Sequence, residues 1–173
     1  MNIRSLITFI FTGIVLLVVQ VLFLKNLAVF GVAMGFLYLM FILDLSINVN
    51  KITLLLLGFA LGLLIDIFYD TIGMHAAAAT LVAFSRPYWL KAVSPTGGYD
   101  ESNRPDLQEM GLSWYMSYSF PLFFIYSFLF FTIDQWGTGG LLGVLNKSLF
   151  SAIFSMLLAI LVQVLFFKRR RRI

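Results

Sequence analysis

Six stretches of this chain run predominantly apolar, with polar residues gathered at their ends and in one longer interval. They fall at about 5–24, 27–45, 52–69, 72–90, 113–133 and 146–167. A bilayer-crossing helix needs roughly 20 mostly apolar residues, and hydrocarbon obliges such a segment to satisfy its own backbone. The pattern therefore predicts an all-α polytopic membrane protein, six transmembrane helices in one bundle, with 1–173 forming a single integral-membrane domain. The first stretch ends at Phe23-Leu24-Lys25-Asn26 rather than at a small-residue cleavage site, so it is expected to stay as an anchor. The sizeable loop is 91–112. It is turn-rich at Pro95-Thr96-Gly97-Gly98, then mixed in charge at Asp100, Glu101, Asp106 and Glu109, without apolar periodicity. Pro121, inside the fifth stretch, is expected to kink it, because proline removes a backbone donor and crowds the preceding turn.

Composition strengthens this picture. Of 173 residues, 61% are hydrophobic and 12% charged, whereas soluble domains carry about 25% charged residues. There is no cysteine, which excludes disulfides, thiolate catalysis and zinc–thiolate sites, and the single histidine excludes a histidine-based metal cluster. No cofactor is expected. Charge orients the bundle. With the N-terminus inside, the cytosolic side holds Arg4, Lys51, Arg86, Lys91, Arg104 and the five residues Lys168–Arg172, ten in all; the outside holds Lys25 and Lys147. Ten plus two accounts for all twelve basic residues, and the positive-inside bias favours both termini in the cytosol. The C-terminal basic run directly follows an apolar span. That placement reads as attraction to anionic lipid, about 1 kcal/mol per basic residue, rather than to nucleic acid.

Candidate chemistry concentrates at Gly58-Phe-Ala-Leu-Gly62-Leu-Leu-Ile-Asp66-Ile-Phe-Tyr-Asp70-Thr-Ile-Gly73-Met-His75. Gly58, Gly62, Asp66 and Asp70 recur every four residues and form one stripe on the third helix. Glycines so placed let a neighbouring backbone approach closely, and Ala76–Ala79 offers a matching small surface after the reversal at Gly73. A tight hairpin of the third and fourth helices is expected. Asp66 lies within its span and needs a partner. The reversal brings His75 back towards its level, so an Asp66–His75 contact is expected. Arg86 shares a helix face with His75, and Asp44 is placed to reach Arg86 or Lys51. These residues read as structural pairing more readily than as a proton relay. Gly62-x-x-x-Asp66-x-x-x-Asp70 copies the second half of the CDP-alcohol phosphatidyltransferase signature. Its first half is missing, with Ile52 and Thr53 in the slots for Ala-Arg. His-Glu-x-x-His, Gly-x-Ser-x-Gly and Gly-x-Gly-Asp are also absent, and no catalytic residue is expected.

The stretch from Leu57 to Ala78, with Ala83-Phe84-Ser85-Arg86-Pro87 after it, resembles the core of the rod shape-determining protein MreD family. Gly62, Asp66, Gly73, Ala76 and Arg86 match that pattern residue by residue, over about residues 50–91. The resemblance implies a non-enzymatic scaffold of bacterial cell-wall elongation in the inner membrane. Its implied partners are MreC, the RodA–class B penicillin-binding-protein synthase and, indirectly, the MreB filament. A different class also fits the size and span count: the substrate-binding subunit of an energy-coupling-factor vitamin transporter, to which the MreD family looks similar in fold. Such a pocket could draw on Asp134, Gln135 and Trp136 near the outer face.

Overall fold

The computed structural model describes residues 3–29, 32–99, 104–137 and 140–166. The C-terminal basic run and the acidic pair Asp100 and Glu101 lie outside the described residues. The described chain is mostly helical. Helix α1 (Ile3–Val19) continues as a π-helical turn (Gln20–Leu24). After it come a two-residue hairpin, β1 (Ala28–Val29) and β2 (Ala33–Met34), and the short α2 (Leu39–Leu43). Then follow α3 (Lys51–Tyr69), α4 (Met74–Ala92), the single turn α5 (Leu107–Met110), α6 (Leu112–Asp134) and α7 (Leu141–Phe166). Helices α3, α6 and α7 are each long and apolar enough to cross a membrane. This is a membrane protein.

Helix α4 packs between α3 and α6, and α6 also lies against α7. The α3–α4 hairpin forms for the reason its sequence suggests. A Cβ on Gly62 would lie 2.5 Å from both the Ala76 Cα and the His75 carbonyl oxygen, and one on Gly58 would lie 2.9 Å from the Ala83 Cβ. Only glycine permits that approach. Helix α3 ends with Asp70 in the left-handed region (φ 55°), and Gly73 (φ 76°) opens α4. Helix α6 runs through Pro121 without ending there.

The segment 27–45, expected as the second helical span, is not a helix. Its β1–β2 ladder pairs Ala28 with Met34 and Val29 with Ala33 in antiparallel register. The chain then runs irregularly through Gly35 and Phe36 before the five-residue α2. Hydropathy registered how apolar the segment is, which its burial explains: every residue from Phe36 to Leu43 is at most 9% exposed. A helix is only one way to satisfy a buried backbone. Here side chains from the π-helical turn, α4, α6 and α7 do it instead.

Candidate functional site

The polar residues of the interior form three linked groups. The first is the α3–α4 junction. Asp66, 3% exposed, accepts the backbone N–H of His75 at 3.0 Å, the Thr71 hydroxyl at 2.5 Å and the backbone N–H of Ala76 at 2.9 Å. The two amides belong to the first turn of α4, whose donors have no partner within their own helix. Gly73, at the N-cap, has no side chain to offer. Asp66 therefore caps α4 from the neighbouring helix, and its negative charge sits at the positive end of the α4 dipole. The N–H of Thr71 returns to the Asp66 carbonyl at 3.1 Å, closing α3. Asp70, the last member of the stripe, is exposed. Its carboxylate lies 4.0 Å from Lys25, whose ammonium also meets the Phe68 carbonyl.

The second group surrounds the His75 ring. The expected Asp66–His75 contact forms through the His75 backbone N–H, which leaves the ring to other partners. The imidazole Nδ1 lies 2.5 Å from the Tyr126 hydroxyl, which is 2.7 Å from that of Tyr38. A hydrogen-bonded chain thus joins α4, α6 and the broken segment. The ring is fully buried, with Phe130 and Tyr69 centroids 4.7 and 4.9 Å away. Its Nε2 has no hydrogen-bond partner among the described residues.

The third group holds the broken segment. Gln20, 1% exposed, accepts the N–H of Leu37 at 2.8 Å and donates to the Gly35 carbonyl at 2.9 Å. Its amide also donates to the Tyr69 hydroxyl at 2.8 Å, which in turn bonds the Gln20 carbonyl. From α7, the Ser151 hydroxyl accepts the Met34 N–H at 2.9 Å, and that of Ser155 accepts the Phe36 N–H at 2.8 Å. At the other end, Arg86 reaches the carbonyls of Leu43 and Leu45 where α2 ends, with the Tyr118 hydroxyl 2.9 Å from its Nε. The guanidinium supplies the positive charge that a helix C-terminus favours. Asp44 meets neither Arg86 nor Lys51 within salt-bridge distance. Its two carboxylate oxygens accept the Gln163 amide at 3.0 and 2.8 Å.

Gln20 and Gln163 were not singled out from sequence, although a signal exists. Both sit in the pentapeptide Val-Gln-Val-Leu-Phe, at 19–23 and 162–166, and an amide inside an apolar run has to find partners. One clamps the start of the broken segment and the other its end. Near Gln163, α5 docks under an Asp106 cap, whose carboxylate accepts the N–H groups of Gln108 and Glu109. Burial pushes the Asp106 carboxyl above its ordinary value, against the pull of those bonds. Trp114 donates to the Val93 carbonyl at 2.8 Å and Trp89 to that of Ser117 at 3.2 Å, which ties this end of α4 to α6.

Of the eight residues expected to matter, Gly58, Gly62, Asp66, Gly73 and His75 meet at the hairpin, Arg86 and Asp44 serve the broken segment, and Asp70 stands at the surface. Among the described residues no group of three or more His, Asp or Glu is placed to hold a metal ion. Fold and site define a helical membrane protein whose buried polar side chains are committed largely to its own backbone. No family model, curated protein or solved structure matches the chain.

Proposed function

We propose that this chain is a non-enzymatic scaffold of the bacterial inner membrane that serves cell-wall elongation, in the manner of the MreD family. The observation that carries the reading is the use of the matched residues. Gly62, Asp66, Gly73 and Ala76 build the capped hairpin, and Arg86 closes α2. A substrate-binding or catalytic membrane protein directs polar groups into an accessible cavity. Here they largely face carbonyls and amides of the same chain, as suits a rigid body that partners grip from outside.

In this reading the chain crosses the membrane six times, by α1, the broken segment, α3, α4, α6 and α7, with both termini in the cytosol. The order of contacts along α7 supports the second crossing. Met34, Phe36 and Asp44 meet Ser151, Ser155 and Gln163 in turn. Those α7 positions span 12 residues, about 18 Å at 1.5 Å per residue. The partners are MreC and the RodA–penicillin-binding-protein synthase, with MreB reached indirectly and anionic lipid meeting the C-terminal arginines.

Affinity purification of the intact protein in mild detergent tests the assignment. MreC and the synthase are expected to co-elute. Recovery of energy-coupling ATPases in their place would overturn it in favour of a transporter subunit.

A further inference from the structure

The side chain of Gln163 serves two regions at once. Its Nε2 donates to both oxygens of Asp44, at the end of α2. Its Oε1 accepts the backbone N–H of Leu107 at 2.6 Å, the first residue of α5, and its own carbonyl accepts from the Gln108 amide at 3.3 Å. The Asp106 cap satisfies the next two amides of α5, so Gln163 supplies the one bond that the cap leaves open. Gln163 is 1% exposed, and one amide plane fixes both of its ends. If α5 lifts away, Oε1 loses its donor and the amide is free to turn. Asp44, itself part-buried, then loses the partner that holds both of its oxygens. Tyr115, 3.5 Å from Asp44, is too distant to replace it.

We propose that residues 104–111, which carry α5, form a strap, and that Gln163 couples its docking to the order of the broken segment. A ligand or partner that held the loop in its undocked form would loosen the chain from α2 to Asp44, and disorder there would release α5. Coupling of this kind is reciprocal by thermodynamic necessity. It goes beyond the scaffold reading and does not depend on which partners bind.

Amide hydrogen exchange of the full-length protein in lipid nanodiscs tests it, read on the peptides covering 39–45 and 104–111. Asp106→Ala removes the cap without touching Gln163. It is expected to speed exchange in 104–111 and, about tenfold, in 39–45, the size of an ordinary coupling. In a Gln163→Leu background the same substitution should affect 104–111 alone. Should Gln163→Leu fail to fold, the reciprocal measurement serves: Asp44→Ala is expected to speed exchange at Leu107. The proposal is overturned if Asp106→Ala loosens only the loop in the otherwise native chain. It is equally overturned if 39–45 responds as strongly without Gln163, or if Asp44→Ala leaves Leu107 protected.

Discussion

The α3–α4 hairpin and the broken segment solve one problem in opposite ways. In the hairpin the backbone satisfies itself, and the helices need only come close; glycine and alanine arrange that, with Asp66 capping the amides left open at the start of α4. Between Ala33 and Leu45 the backbone satisfies itself only in part. Gln20, Ser151, Ser155, Arg86 and Tyr118 complete it from four helices. The hairpin is therefore sensitive to added volume, and the broken segment to lost polarity.

The largest effect should follow from removing the guanidinium. Arg86→Met leaves the Leu45 carbonyl without that donor and Leu43 with Tyr118 alone. It should cost about 3 kcal/mol, since each buried group left unpaired costs roughly 1–3 kcal/mol. Arg86→Lys should recover less than half of this, because an ammonium lacks the planar fork. Equilibrium unfolding in mixed micelles measures both.

A paired experiment sharpens the contrast. Gly62→Ala should destabilise by about 2 kcal/mol through overpacking against fixed backbone. Gly35→Ala should cost less, about 1 kcal/mol, because its new methyl meets only side-chain ends, Leu158 Cδ1 at 2.9 Å and Phe154 Cε1 at 3.1 Å. Gln20→Leu reverses the ranking inside the broken segment. It adds no bulk, yet strands the Leu37 N–H and the Gly35 carbonyl, and should cost about 2 kcal/mol. Equal losses for Gly35→Ala and Gly62→Ala would break the comparison.

Smaller effects probe the joint. Asp66→Asn keeps one acceptor but turns an NH2 towards a backbone donor, of Ala76 or of His75, and should lower stability by about 1 kcal/mol. Asp70→Gly should raise stability by about 0.5–1 kcal/mol, because Asp70 holds a left-handed φ of 55° and its link to Lys25 is exposed. Thermal unfolding in detergent registers both signs.

The sequence made one of these regions legible and hid the other for a physical reason. Spacing of four places Gly58, Gly62 and Asp66 on one face, and helical geometry converts that into contact without knowledge of the rest of the chain. The reversal at Gly73 was readable too. What spacing could not convey was that Asp66 would take the His75 amide, since backbone donors leave no mark in a sequence. The 27–45 segment is as apolar as a spanning helix, and the partners that let it be irregular lie up to 121 positions away. Gln20 and Gln163 were the visible trace of that arrangement, two amides stranded in apolar runs. Asp44 was likewise placed correctly near an end of the segment, but its partner came from α7 rather than from a nearby basic residue.

The backbone conformation of residues 33–45 tests the central claim most directly. Carbon-13 secondary chemical shifts, measured on the labelled full-length protein in nanodiscs, should be extended at Ala33 and Met34, irregular at Gly35 and Phe36, and helical only from Leu39 to Leu43. Unbroken helical shifts from Leu27 to Leu45 would contradict the account, because a continuous helix would leave Gln20, Ser151 and Ser155 no backbone to complete.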